Sequence, residues 1–408
     1  MHVIFIEPRF PGNQKRFIKA LAEVGAHVTA IGEGSKESLD DELKSWLLHY
    51  EQVGSVCDEA AVLRAVQFVQ SRAYVDRLEA TVEAHIMPTA RVREAAGIPG
   101  TSVRTAHLCR DKPAMKQVLR EGGVPCAQST GASSLDEVRA FVERVGLPVI
   151  VKPRDGAGAA GATRVDVLAE LEPALRGFGL GQPGRSVAVE EFIDGHEGFF
   201  DTISIGGQVV HEFATHYYPN VLEAMRTRWI SPQFITTNRI DGAPGYDEVR
   251  AMGRKVIELL GIGTSATHME WFFGPKGLKF SEIGCRPPGV RAWDLYEVGN
   301  DMDLYREWAM AICHGRASQR ASRRYSAGLI ALRPSQDGRI TGTTGLDEIG
   351  RAFGPWLIDA HTPPAGTPTQ PVEAGYMANA WIRMKHESYD EVHRMLDVVG
   401  RTVKVWAA

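Results

Sequence analysis

The sequence predicts an α/β protein that opens with a doubly wound parallel sheet and continues into α+β units. Three observations carry that prediction. Strand and helix patterns alternate over the first hundred residues, antiparallel hairpin signals follow, and two carboxylates interrupt otherwise apolar strands. The chain of 408 residues exceeds one core of ordinary size, so several units are expected. Their boundaries are read as residues 1–105, 106–316 and 317–408.

In the first unit "HVIFIE" is an apolar run fit for a buried strand. "NQKRFIKALAEVG" has apolar residues at helical spacing, with Gly25 as C-cap. "HVTAIGE" is a second strand, followed by a helix around residues 35–48, and "AAVLRAVQFVQSR" is a third helix leading to "VDRLEATVE". Glu83 stands just before the helix "IMPTARVREAAG", where a negative charge suits the macrodipole. The first βα turn, "EPRFPGN", lacks the glycine fingerprint of a dinucleotide site, which disfavours a dehydrogenase.

The second unit starts with "TAHLCRDKPAMKQVLREGGVP", read as one amphipathic helix ended by Gly-Gly and Pro. The helix "SSLDEVRAFVERVG", capped by Ser133 or Ser134, precedes the strand "LPVIVKP". A loop of small residues, the helix "LAELEPALRGFG" and the strand "SVAVEEFIDG" complete a small module. "FFDTISIGG" and "QVVHEFATHYY" form a hairpin joined at Gly206-Gly207. A helix over 246–261 leads into the acid-bearing strands, and "DLYREWAMAICHG" closes the unit. The remainder has short strands, the turn "HTPPAGTPTQP" and a final helix, "SYDEVHRMLDVVGR".

Bulk properties exclude several function classes. Forty-six Lys and Arg against 50 Asp and Glu give a formal charge of −4, with no global attraction to nucleic acid or a membrane surface. No apolar run reaches the ~20 residues that span a bilayer, and "MHVIFIEPRF" reads as a strand rather than a secretory signal. Five cysteines without paired spacing are expected to be reduced thiols, which suits a cytoplasmic location.

The chemistry gathers in a few places. "VIVKPRDGAGAAG" delivers Lys152 to a strand end, followed by small residues that let backbone N–H groups approach phosphate oxygens. A Gly/Ala-rich hairpin at a sheet edge would look the same. Glu270 in "HMEWFF" and Glu282 in "FSEIGCRPPG" lie on adjacent strands joined by "GPKG", so an antiparallel hairpin brings them together. Two buried carboxylates repel unless a cation intervenes, and oxygen-only ligands favour Mg²⁺ or Mn²⁺. Arg286 beyond them suits an oxyanion or a developing phosphoryl charge, with a structural Glu–Arg ion pair as the alternative. His211, His216 and His268 are candidates for substrate contact or for hydrogen-bonded strand positions. Residues 215–234 hold Arg226 and Arg228, which with Arg291 are candidates to grip a substrate carboxylate.

In this order the motifs resemble the ATP-grasp superfamily, specifically its carboxylate–amine ligases, which include the L-amino acid ligases. The resemblance covers nearly the whole chain. It implies a pre-ATP-grasp Rossmann-like domain (1–105), an ATP-grasp core (106–316, with a hinged lid at about 127–190) and a small α+β C-terminal domain (317–408). In "RDKPAMKQVLREGGVPC" it gives Lys112 a contact to nucleotide phosphate, and in "PVIVKP" it gives Lys152 the α/β-phosphates. "RDGAGAAG", with Gly158 and Gly161, stands where a glycine-rich loop covers the phosphates. In "VAVEEFIDGHEGFFD" Glu190, Glu191 and the backbone to Ile193 would meet adenine, and Glu197 the ribose. Glu270 and Glu282 would hold metal and Arg286 would be catalytic. The family commonly writes Glu-x-Asn-x-Arg at the last motif, with the Asn as a further metal ligand; here that position is Gly284.

The resemblance further implies ATP-dependent joining of a small carboxylate, such as an amino acid, to an amine through an acyl phosphate, with ADP and phosphate released. ATP and Mg²⁺ (or Mn²⁺) are the implied cofactors. Small molecules are the implied partners, with no nucleic acid or membrane, and a homodimer is one implied assembly. Two other readings stay open at this point: bicarbonate activation of the biotin-carboxylase kind, and a non-catalytic ATP sensor made conceivable by Gly284.

Overall fold

The computed structural model describes residues 1–154, 161–372, 376 and 379–408. Strands β1 (His2–Ile6), β2 (His27–Gly32), β3 (His49–Gln52) and β4 (Arg77–Glu79) form a parallel sheet in the order β3-β2-β1-β4. β1 is buried along its whole length, as a central strand between two helical layers must be. The helix expected around 35–48 is shorter than its pattern suggests. Asp40 caps a helix limited to Asp41–Trp46, and the chain then extends into β3.

The single helix expected from residue 105 is two, Val103–Leu108 and Lys112–Glu121. The break falls at Asp111, whose carboxylate accepts from Ala114 N, and Pro113 fills the first turn of the new helix. This break aims the second helix, with Lys112 and Lys116, into the interior.

Strands β5 (Ser129–Ala132), β6 (Val149–Pro153), β7 (Thr163–Val165) and β8 (Val187–Glu191) make a separate antiparallel sheet, ordered β5-β8-β6-β7. Ser134 caps the helix Leu135–Val145 on this sheet. Val138, Phe141, Val149, Val151, Leu171 and Val187 give the module a core of its own.

The rest of the chain is organised by one large sheet. In chain order the strands are β9 (His196–Ile205), β10 (Gln208–Tyr218), β11 (Gln233–Thr236), β12 (Ser265–Gly274), β13 (Gly277–Gly284), β14 (Ser326–Leu332), β15 (Ile340–Thr344), β16 (Leu357–His361), β17 (Ala380–His386) and β18 (Lys404–Ala407). Eight of them pair in the order β13-β12-β9-β10-β11-β14-β17-β16, while β15 and β18 pair apart. The β9–β10 turn uses Gly206 and Gly207 at φ +56° and +85°, the left-handed pair a two-residue hairpin demands. The strands β14, β16 and β17 of residues 317–408 extend the central sheet rather than building one of their own. The final helix, Tyr389–Thr402, capped by Ser388, packs Val392, Leu396 and Val399 beneath them.

Candidate functional site

A cleft of about 530 Å³ opens between the four-stranded module and the central sheet. One wall carries Ile150 and Lys152 from β6 with Glu190 to Asp194 from the end of β8; the other carries Glu270 and Phe272 from β12 with Phe280 and Glu282 from β13. Val221 to Thr227 closes one end.

The helix Lys112–Glu121 and strand β6 bring lysines to a single acid. Glu190 Oε2 accepts from Lys116 Nζ and Lys152 Nζ, each at 2.7 Å. Burial opposes ionisation of Glu190, but the two ammonium groups overrule it and hold the carboxyl at about 2. Burial pulls Lys116 down to about 8 despite Glu190, with Lys152 repelling it as well. Lys152 is buried too, yet Glu190, Glu282 and Glu270 together raise it. Glu190 Oε1 is buried without a hydrogen-bond partner, an acceptor that suits a ligand N–H. Glu191 instead turns toward Lys276 and the amide of Gln128, and Ile193 is buried at the cleft. Glu197 accepts from Val221 N at 2.6 Å; burial, with Glu270 nearby, pushes it up to about 8.

The opposite wall is set by strand register. Glu270 and Glu282 stand directly across from one another, and His268 stands across from Gly284. The register shifts between Glu270 and Trp271, the kind of bulge that re-aims side chains beside active sites. Lys112 Nζ lies 3.4 Å from Glu282. His268 Nδ1 lies 2.7 Å from Asp201, and its Nε2 is 3.7 Å from Glu270. Burial would strip the His268 charge, but Asp201 and Glu270 raise it to about 9. Tyr296 OH donates to the second oxygen of Asp201 at 2.5 Å, which fixes the carboxylate behind the histidine.

Two facing carboxylates flanked by cationic side chains fit a divalent cation, and a donor set of oxygens alone fits Mg²⁺ or Mn²⁺. Among the described residues no cluster of three or more His, Cys, Asp or Glu side chains could hold a metal ion. Phosphate oxygens and water would therefore complete its coordination.

The other candidates divide. Arg286 Nε pairs with Glu83 at 2.6 Å, so its ionic partner is neither Glu270 nor Glu282. Arg226 lines the cleft and donates to Ala162 O at 2.6 Å, while Arg228 is taken by Asp337 and does not line it. Arg291 lies against Asp294 at 2.6 Å and over the Trp381 ring. His211 is buried against Glu307, and His216 bonds His196 and Tyr246. Gly161, where the described chain resumes, sits close to Pro153, and Gly158 lies outside the described residues. Sequence reasoning missed Lys116, Asp201 and the pairing of Glu83. Lys116 follows Lys112 by one helical turn, and Asp201 is an acid inside the apolar run "FFDTISI", so both signals were present.

Residues 111–197 match the family model of the carbamoyl-phosphate synthase L chain ATP-binding domain. The chain is 26% identical over 249 residues to an L-arginine-specific L-amino acid ligase of Bacillus subtilis, covering 60% of this chain and 59% of that protein. It is 26% identical over 231 residues to the alanine–anticapsin ligase of Bacillus subtilis strain 168, covering 52% and 48%. The matches span about half the length of these curated relatives. In structure it is similar to an L-amino acid ligase of Bacillus licheniformis, with a TM-score of 0.76 at 19% identity over 100% of this chain and 98% of that one. It is also similar to N5-carboxyaminoimidazole ribonucleotide synthetase of Thermotoga maritima, with a TM-score of 0.70 at 15% identity over 100% and 99%. The chain has the ATP-grasp fold, and in sequence it is similar to carboxylate–amine ligases of that superfamily.

Proposed function

We propose that the protein is an ATP-dependent carboxylate–amine ligase acting on amino acids or related small carboxylates. The observation that carries this reading is the cleft itself, with Lys116, Lys152 and Glu190 on one wall and the opposed Glu270 and Glu282 on the other. A polyanionic nucleotide fits between lysines on one side and metal-holding acids on the other.

In this reading Lys112 and Lys152 take phosphate oxygens, joined by Lys116. Glu190, Glu191 and Ile193 meet the adenine, Glu197 the ribose, and the Gly158–Gly161 segment covers the phosphates. Burial and the nearby Glu270 push Glu197 up to about 8, which favours its neutral form beside a ribose. Bound Mg²⁺ would supply charge neutralisation between Glu270, Glu282 and the triphosphate. A substrate carboxylate oxygen attacks the γ-phosphorus, the bond to the bridging oxygen breaks, and ADP leaves. The amine nitrogen then attacks the acyl carbon, phosphate departs, and the nitrogen loses a proton. Arg286 offsets the negative charge that develops on the reacting group. Arg226 and Arg291 are candidates for holding a substrate carboxylate, with His268 beside the reacting centre; Arg228 would need to leave Asp337. A homodimer is the proposed assembly.

In sequence, the extent of the similarity favours amine rather than bicarbonate chemistry. It covers 60% of this chain for the arginine-specific ligase but 28% for a carbamoyl phosphate synthase large chain. The test is a pairwise amino acid screen for phosphate release from ATP, with mass spectrometry of the product. Phosphate released only when two amino acids are present supports ligation. Tight ATP binding without turnover in any mixture would replace it with the sensor reading.

A further inference from the structure

Gly284 has a structural explanation. Its φ is not among the left-handed values, so the backbone does not require glycine there. What limits the position is space. A Cβ on residue 284 would lie 3.1 Å from Glu83 Oε2, with Arg286 Cγ and Nε next at 3.5 and 3.7 Å. The carboxylate that fills this space comes from the N-terminal unit, on the first residue of the helix Glu83–Ala96.

That carboxylate is held on both sides. Arg110 Nη1 meets Oε1 at 2.8 Å, and Arg286 Nε meets Oε2 at 2.6 Å. Burial disfavours the charge, but Arg286 and Arg110 keep Glu83 below the usual carboxylate range. Arg286 is fixed a second time by Nη1 donating to Pro287 O at 2.8 Å. Arg110 lies next to Asp111, the N-cap of the helix that carries Lys112 and Lys116. Glu83 therefore ties together the N-terminal sheet unit, the lysine-bearing helix and the end of β13.

We propose that Glu83 is the positioning residue for Arg286, and that glycine at 284 leaves the Glu83 carboxylate uncrowded in its place against Arg286. The proposal rests on the ligase reading, since it takes Arg286 to act on the transferring group. An unrestrained arginine samples many rotamers, and a small misplacement of a group that acts only in the transition state costs rate rather than nucleotide affinity. A Cβ at 284 would crowd the Glu83 carboxylate and displace it from its place against Arg286, and removing Glu83 would relieve that contact.

The test uses the full chain with MgADP alone and with MgADP plus aluminium fluoride, a mimic of the transferring phosphoryl group, read by calorimetry. Wild type is expected to bind the fluoride complex about 100-fold more tightly or better. Glu83→Gln and Gly284→Asn should each keep the MgADP affinity and lose most of that gain. In the Glu83→Ala background, Gly284→Asn should cost little more, because the carboxylate it crowds is gone. The proposal is overturned if Glu83→Gln keeps the full gain, or loses MgADP binding in the same proportion. It also fails if Gly284→Asn is silent, or if Gly284→Asn costs as much in the Glu83→Ala background as it does alone. Should Glu83→Gln fail to fold, Gly284→Asn decides alone. A wild type with no fluoride gain overturns the ligase reading along with this one, whereas a wild-type gain that ignores Glu83 overturns only this one.

Discussion

Glu270 and Glu282 oppose each other across the β12–β13 register, on the cleft side of an otherwise apolar hairpin. Lys112 and His268 flank them with positive charge. If this pair holds divalent metal against the triphosphate, Glu282→Gln should cut Mg²⁺-dependent turnover by about 10²–10³-fold, as loss of one electrostatic contact to a transition state does. Steady-state rates across a Mg²⁺ titration check this; near-full activity would mean that the metal assignment is wrong.

Lys152 reaches the cleft from β6 and shares Glu190 with Lys116. Replacing it with Met should weaken ADP binding about 10–100-fold, the worth of one or two charge-assisted hydrogen bonds. Calorimetry with MgADP would contradict the assignment if the affinity were unchanged.

Glu190 couples the site to stability. Its folded-state pKa of about 2 lies below the usual 4.5, so its contribution is present above pH 4.5 and disappears as pH falls toward 2. Glu190→Gln should therefore be less stable than wild type at pH 7, and the gap should shrink by up to about 3 kcal/mol between those limits. Urea unfolding at pH 7, 4.5 and 3 tests the sign; a gap that widens in acid would contradict it.

Gly198 in β9 pairs with Trp271 of β12, beside the same hairpin in the sheet. A Cβ there would meet Trp271 Cζ2 at 2.3 Å and Thr215 O at 2.6 Å. Gly198→Ala should cost about 1–3 kcal/mol through overpacking. A thermal midpoint equal to wild type would show that the strand yields more easily than this packing implies.

Local patterns made much of the fold legible. The parallel sheet followed from apolar runs alternating with helical spacing, and the β9–β10 hairpin from Gly206-Gly207. What local pattern cannot reveal is where a strand finds its neighbour. Residues 317–408 read as a separate unit with short strands, yet β14 pairs with β11 and β17 with β14, which places both in the central sheet. The same limit held at the site. Glu270 and Glu282 are close in sequence and were legible as a pair. Glu83 and Arg286 stand 203 residues apart, so their bond appears only once the chain is folded.

The central claim is that a substrate carboxylate becomes an acyl phosphate in this cleft. Isotope transfer tests it most directly, using the amino acid pair that supports turnover with its acyl donor labelled in both carboxylate oxygens with ¹⁸O. Each phosphate released should carry one ¹⁸O, with ADP as the nucleotide product. Unlabelled phosphate, label in AMP, or no turnover with any pair would contradict it.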